Sequence, residues 1–465
     1  MVHAPAEAKQ QVLSTLNRDG SRRWMQPRLS PGRFWRRRAA TAWALIALFV
    51  LLPYIQINGK PLVLLDLPRR HFTLFGTTFL PTDTVMLMLL GVSIVLTVFL
   101  LTALFGRVWC GWACPQTVYM EFLFRPIERL FEGAPGRRSR LERLAPGVRR
   151  ALKLGVFAVL SLFLAHVFLS YFVGVDQLAQ WVRRSPFEHP TSFLVMAGTS
   201  LLIFLDFTWF REQTCVVACP YGRLQSVLLD RKSLIVGYDY GRGEPRGKIA
   251  KSADRAAGDC VDCRACVTTC PTGIDIREGL QMECIHCTQC MDACDAIMRK
   301  VGRPERLIRY SSQDELAGQG TKMLRTRVIL YPLAVIVVVG LLVWQLATKT
   351  TADVMILRGI GSPYSVLQTG EVSNSIRVKI TNRSDRDQSY SIALRGMDEA
   401  RIVAPSNPLR VAADATETAN VFVITPTGAL LGGSVDVRFH VTDGAKLDVE
   451  LPYKLLGPET GGGAP

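Results

Sequence analysis

Five apolar runs punctuate the chain, at residues 39–57, 84–104, 154–173, 192–209 and 328–346. Each is close to the ~20 residues that carry a helix across the hydrocarbon layer, and none contains Lys or Arg. A helix buried in a soluble core rarely stays uncharged for so long, so the runs predict five membrane helices. From residue 351 the period changes. Ile376-Arg377-Val378-Lys379-Ile380 alternates apolar and charged positions, the signature of a half-buried strand. Residues 389–394, 420–424, 435–441 and 447–451 repeat that style. Residues 382–387, 405–408, 432–433 and 443–444 supply turns between them. About seven short strands over roughly 105 residues predict an immunoglobulin-like sandwich, with no cysteine pair to staple it.

Composition agrees with this alternation of long apolar and polar stretches. The 465 residues are 49% hydrophobic and 20% charged, with a mean hydropathy of +0.20. Residues 1–38 read as a mobile polar arm, 39–236 as a four-helix membrane domain, and 237–258 as a Gly/Lys/Arg-rich linker. Residues 251–310 hold the cysteine-rich domain, 311–325 a polar connector, 326–347 the fifth helix, and 351–456 the sandwich. The Gly/Pro-rich tail 457–465 is expected to be disordered. The first apolar run follows a long polar arm without a small-residue cleavage site, so it reads as an uncleaved anchor.

The net charge of +16 has a direction. Residues 1–38 carry nine Lys/Arg, 58–83 three, 105–153 ten and 174–191 two, and 210–327 is again densely basic. The positive-inside rule then places the N-terminus, residues 105–153 and the cysteine-rich domain on the cytoplasmic side. The C-terminal domain faces outward. No aromatic–basic face accompanies the charge, so nucleic acid is not an expected partner.

All twelve cysteines lie between Cys110 and Cys294, on the reduced side of that topology, where thiols can bind metals. Cys260, Cys263, Cys266 and Cys270 form one C-x2-C-x2-C-x3-C run, and Cys284, Cys287, Cys290 and Cys294 a second. This is the two-cluster ferredoxin spacing, in which the fourth cysteine of each run serves the other cluster. The expected cofactors are two [4Fe-4S] clusters. One is held by Cys260, Cys263, Cys266 and Cys294, the other by Cys284, Cys287, Cys290 and Cys270. Zinc favours separated cysteine pairs, and disulfides need an oxidising compartment. The second run ends Cys294-Asp295, without the proline of the generic pattern. The expected fold is thus a five-helix α-helical membrane protein with an inserted two-cluster ferredoxin-like α+β domain and a C-terminal all-β immunoglobulin-like sandwich.

A second cysteine pattern follows the second and fourth runs. Cys110-Gly111-Trp112-Ala113-Cys114-Pro115 and Cys215-Val216-Val217-Ala218-Cys219-Pro220 repeat C-x2-A-C-P 105 residues apart. Spacing i, i+4 would put both sulfurs on one helix face, and the proline would end or kink the helix. If the two helices are neighbours, four thiols converge at the membrane boundary. Soft thiolates suit Cu(I), zinc or another Fe–S centre; otherwise they are small hydrophobes at helix ends. Among six histidines only His166 lies in an apolar run, which argues against a di-histidine haem. It reads equally as a functional polar group in lipid or a helix–helix hydrogen bonder. His286 is expected to tune the neighbouring cluster or to face solvent. Asp206 is an intramembrane carboxyl candidate that would otherwise reach the interface.

GRVWCGWACPQTVY at residues 106–119, TCVVACPY at 214–221 and GIDIREGLQMECIHCTQCMDACDAIMR at 273–299 resemble the signatures of the FixG/CcoG cytochrome c oxidase accessory proteins. The ending Cys294-Asp295 fits that family. The resemblance covers nearly the whole chain, least of all the early arm. It implies a role in assembling cbb-type haem–copper oxidases and reduction of Cu(II) to Cu(I) before copper loading. It also implies cluster ligands on the eight ferredoxin cysteines and a membrane-edge motif on Cys110, Cys114, Cys215 and Cys219, the candidates for a copper site and for redox catalysis. Oxidase subunits or copper chaperones are then the expected partners, and a homodimer is compatible with this reading. No Gly-rich dinucleotide motif is present, so electrons arrive from a separate donor or a quinol. Two other functions fit the motifs: a quinol-linked relay without copper, and an assembly scaffold whose clusters are structural or sensory.

Overall fold

The computed structural model describes residues 14–17, 19–57, 60–67, 71–79, 83–136, 138–139, 141–247, 258–319, 326–348, 350–384, 386–413 and 415–458. The tail expected to be disordered lies outside these from residue 459 on, as do residues 1–13 of the arm, 248–257 of the linker and 320–325 of the connector. The chain forms two compact units, Met1–Leu342 and Val343–Pro465.

Among the described residues, five helices are long and apolar enough to cross a membrane. The second, Thr84–Phe105, and the fifth, Thr326–Ala347, match the predicted runs closely. The fourth, Pro190–Leu205, continues through a wide turn to Phe210. The third, Pro146–Val173, begins at Pro146 rather than residue 154, because a proline at the first helical position is preorganised for entry. Phe124 links these elements. It stacks on Phe207 at 4.1 Å between ring centroids and meets Phe157 edge-on at 4.9 Å.

The first helix runs Arg33–Leu51 and corrects the expected boundary at residue 39. Its charged first turns fail a hydropathy test, yet they are held by specific bonds. The Asp292 carboxylate accepts the Phe34 and Trp35 N–H groups at 3.1 and 2.7 Å, capping the helix from outside. Arg38 is only 1% exposed and donates through Nε to the Gly111 carbonyl at 2.9 Å. The described part of the arm is likewise not free. Ser14 Oγ donates to the Thr272 carbonyl at 2.8 Å, and the Arg28 N–H to that of Thr268 at 2.9 Å.

Residues 235–247 and 258–311 form the described ferredoxin-like part. Strands Ile235–Tyr238 and Ile308–Ser311 pair antiparallel, with Tyr238 opposite Ile308. Gly237 and Tyr238, expected in a linker, are therefore strand residues, and the expected connector opens with a short helix, Gln313–Leu316. Helices Ala265–Thr268 and Gln289–Lys300 follow the third cysteine's approach in each run. Val236, Ile274, Ile276, Met291, Met298, Leu307 and Ile308 form the buried core between them.

The second unit is an all-antiparallel sandwich. One sheet orders Arg401–Val403, Thr416–Thr425, Val372–Asn382 and Ala352–Arg358, with Ser365–Val366 also on Val372–Asn382. The other orders Leu409–Val411, Gln388–Arg395, Ser434–Thr442 and Asp448–Leu456. Ile376, Val378 and Ile380 all point into the core, which is the alternation read from the sequence.

Candidate metal centres

The two cysteine runs wrap two adjoining cavities. One is lined by Cys260, Cys263, Cys266 and Cys294 together with Tyr238, Met298 and Leu307. The other is lined by Cys270, Cys284, Cys287 and Cys290, with Cys266 and His286 at its wall. Each cavity takes three cysteines from one run and the last cysteine of the other. Such a set could hold a cubane cluster, and the two runs are built alike to make it. Asp262 and Arg264 flank Cys263 at φ 47° and 55°, and His286 and Thr288 flank Cys287 at 53° and 62°. Left-handed residues on both sides of the middle cysteine curl the backbone around the cavity, as anion-binding nests do. For non-glycine residues each costs on the order of 1–3 kcal/mol, a cost the cluster site offsets.

Burial makes these thiols poor anions by themselves. It pushes Cys266, Cys284 and Cys294 up to about 12 and Cys287 up to about 11, with Arg38 opposing the rise. Only bound metal makes buried thiolates favourable here. Cys263 alone among the twelve cysteines is exposed, so the first site has a ligand at the surface and the second does not. His286 is 1% exposed, which removes the reading that it faces solvent. Its Nδ1 accepts the Arg107 N–H at 3.2 Å, while Nε2 has no protein partner and the ring lines the second cavity. Burial, reinforced by Arg107, lowers its pKa to about 3. The ring is therefore neutral and offers an Nε2–H donor to whatever fills that cavity.

The C-x2-A-C-P motifs do not sit on continuous helices, which corrects the i, i+4 expectation. Gly106 ends the second membrane helix at φ 59°, ψ −132°. Cys110 then lies in a short helix, Val108–Trp112, and Cys114 is extended, at φ −61°, ψ 127°, where Pro115–Tyr119 begins. The second motif repeats this path. Arg211 takes φ 55°, ψ −120° after the fourth membrane helix. Cys215 lies in the wide turn Thr214–Ala218, and Cys219 is extended ahead of Pro220–Leu228. The proline favours an extended residue before it, so each chain segment breaks at its second cysteine.

The two motifs nevertheless meet, since Gln225 bonds both Cys110 of the first and Tyr221, two residues past Cys219 of the second. Burial raises Cys215 most, and Cys114, Cys110 and Cys219 each add to the rise. Cys110 is pushed up to about 11 by burial, against the pull of the Arg107 cation and with Cys114 and Cys219 adding. The Cys110 thiol donates to Gln225 Oε1 at 3.0 Å, and Cys219 Sγ accepts the Gly222 N–H at 3.4 Å. Among the described residues, no three Cys, His, Asp or Glu side chains close to the spacing that holds a single ion.

This quartet abuts the second ferredoxin run. Cys110, Ile285 and Cys287 share one buried contact group with Tyr221 at its edge. A Cβ on Gly111 would lie 2.5 Å from the Ile285 carbonyl oxygen and 2.9 Å from the Cys287 nitrogen, so only glycine permits the approach. Gly111→Ala is expected to cost about 1–3 kcal/mol through overpacking, read by thermal denaturation in detergent; an unchanged midpoint would show that the contact yields. Arg107, 4% exposed, bridges the two groups. It donates to the Met282 carbonyl and acts electrostatically on both Cys110 and Cys284. Arg38, Arg107 and Gln225 were not distinguishable in the sequence from topology-setting charges and ordinary helix polars.

A buried ionic network ties the two motifs from the other side. Arg211 pairs with Glu128 at 2.8 Å and Arg125 with Glu212 at 3.5 Å and with Glu121. Asp206 accepts from Thr214 Oγ1, anchoring the end of the fourth helix beside Cys215. His166 Nδ1 bonds its own helix at Leu162 O, 2.8 Å away.

Sequence comparison matches these parts one by one. A 4Fe-4S dicluster domain matches residues 210–313, a 4Fe-4S binding domain residues 87–136, and the IG-like fold at the C-terminal of FixG residues 342–458. Protein RdxA of Cereibacter sphaeroides is 33% identical over 443 residues, covering 90% of this chain and 93% of that one. Nitrogen fixation protein FixG of Rhizobium meliloti is 32% identical, over 85% of this chain and 82% of its own. Ferredoxin-type protein NapH of Haemophilus influenzae is 24% identical over 62% of this chain and 91% of that one. With likeness running through the membrane helices, the cysteine runs and the sandwich, this chain belongs to the FixG family of membrane iron–sulfur electron-transfer proteins.

Proposed function

We propose that this protein carries electrons to Cu(II) and so makes Cu(I) for insertion into a cbb-type cytochrome c oxidase. The observation that carries the reading is the seam at Gly111, where the second ferredoxin run lies against the first C-x2-A-C-P motif. Cys260, Cys263, Cys266 and Cys294 hold one [4Fe-4S] cluster, and Cys270, Cys284, Cys287 and Cys290 the other. Bound there, the clusters supply one-electron storage at low potential. The exposed Cys263 gives a reductant access to the first site, and Cys287 of the second site packs against Cys110. Cys110, Cys114, Cys215 and Cys219 form the redox centre at which Cu(II), the substrate, takes one electron. Thiolates favour the soft product Cu(I), and copper chaperones or oxidase subunits receive it. The ferredoxin part lies in the cytoplasm and the sandwich in the periplasm, by the positive-inside rule.

A quinol-linked relay without copper is the second reading. It is favoured by the C-x2-A-C-P motifs, which lie just beyond the ends of the second and fourth membrane helices. A deletion strain separates the readings. It is expected to lose cbb-type oxidase activity at low copper and to recover it with the wild-type gene but not with Cys114→Ser/Cys219→Ser. Unchanged oxidase activity in the deletion strain would refute the copper role.

A further inference from the structure

We propose that His286, Arg38 and Arg107 hold the second ferredoxin site at the higher reduction potential of the two, so that an electron entering beside Cys263 settles next to Cys110. The inference rests on reading the chain as an electron carrier with two clusters, and gives the flow its direction.

Directed hydrogen bonds separate the two sites. His286 Nδ1 accepts the Arg107 N–H at 3.2 Å, so the ring's proton sits on Nε2. That nitrogen is buried without a protein partner, on a ring that is 1% exposed and lines the second site. The occupant of that site is the acceptor left to it. On the same wall Thr272 Oγ1 lies 3.4 Å from Cys270 Sγ. Donors aimed at cluster sulfur raise the potential, because the reduced cluster is the more negative and accepts more strongly. The polar side chains lining the first site are Tyr238, Arg264 and Arg277. The Tyr238 hydroxyl donates to Glu244 Oε1 at 3.3 Å instead, and Arg264 is exposed to screening water.

Charge separates them further. Arg277 donates to both Asp275 and Asp262 at 2.6 Å, so two carboxylates outweigh the one buried cation at the first site. Arg38 and Arg107 are 1% and 4% exposed, and their side chains donate to carbonyls, those of Gly111 and Met282. Both Arg38 Nη nitrogens and Arg107 Nε are buried without a partner. Arg107 reaches the second site through its bond to His286. Arg38 reaches it through Gly111, where a Cβ would lie 2.9 Å from the Cys287 nitrogen. Buried cations without a counter-charge are strongly unfavourable. A cluster held by four thiolates supplies that counter-charge, and supplies more of it when reduced. Burial of Cys284 and Cys287 works the other way, since low polarity disfavours the more charged state. The same low polarity strengthens every uncompensated charge, and here two cations and a directed N–H act together against it. The transfer balances internally: the first cluster loses one electron as the second gains it, and no bond or proton changes hands.

The test is EPR-monitored potentiometric reduction of the full-length protein, purified anaerobically in detergent with about eight irons per chain. Two one-electron steps are expected. His286→Leu should move the upper step about ten-fold against reduction, which is about 59 mV for a one-electron couple, and leave the lower step in place. His286→Gln keeps an N–H donor and should restore most of the shift, which a packing role would not do. Arg107→Gln should move the same step in the same direction, and serves alone if His286→Leu does not retain its iron. Movement of the lower step, equal movement of both, or no movement overturns the proposal. The measurement contains no copper. A selective shift in a protein inert toward Cu(II) would therefore leave this inference standing without the proposed function, and two equal steps in a protein that reduces Cu(II) would do the reverse.

Discussion

Replacing Cys114 and Cys219 with serine should slow Cu(II) reduction by more than about 100-fold, since even groups behind metal ligands cost 10–100-fold when removed. The eight ferredoxin cysteines are untouched, so the coupled EPR signal of their two clusters should survive. The effect is large because the substitution removes one sulfur from each half of a site whose halves are built to the same plan. A rate near wild type would show the quartet to be structural and would move copper reduction onto the exposed Cys263 side of the ferredoxin part.

Crosswise ligation gives the second large effect. Cys270 stands in the first run but lines the cavity of the second, and Cys294 does the opposite. Cys270→Ala should therefore abolish the cluster beside His286, and Cys294→Ala the one beside Cys263. Each should remove about four irons and the magnetic coupling between the clusters. The two are distinguishable by access. A membrane-impermeant oxidant should bleach the survivor quickly in Cys270→Ala, where the site of the exposed Cys263 remains, and slowly in Cys294→Ala. Equal bleaching, or loss of each run's own cluster, would contradict the crossed arrangement.

The elements that were legible in the sequence are those set by one dominant force. Uncharged runs of membrane length became helices because lipid leaves the backbone no other option. The alternation around Ile376 became a sandwich strand because one face is buried and the other wet. The elements that were not legible depend on partners distant in sequence. Arg38 looks like a topology charge, and it is buried because Gly111 offers a carbonyl to it. The first helix starts at Arg33 because Asp292 caps it from the ferredoxin part. The break at each second cysteine was misread as a helix face: the prolines were visible, but the positive φ at Arg211 is not what an arginine normally adopts. Holding it there is consistent with its pairs to Glu128 and Glu212. The left-handed turns beside Cys263 and Cys287 were equally hidden, because no glycine marks them.

The central claim is a continuous electron path from the ferredoxin part, across the Gly111 seam and the cysteine quartet, to copper. Its most direct measurement is a single-turnover stopped-flow experiment. Protein reduced anaerobically, freed of reductant and mixed with Cu(II) and a Cu(I)-specific chelating dye reports both ends of the path at once. Cluster bleaching and Cu(I) formation should rise together, one Cu(I) for each electron lost, and both should slow in Cys114→Ser/Cys219→Ser. Clusters that stay reduced in the presence of Cu(II), or that reoxidise at the same rate in that variant, would contradict the account.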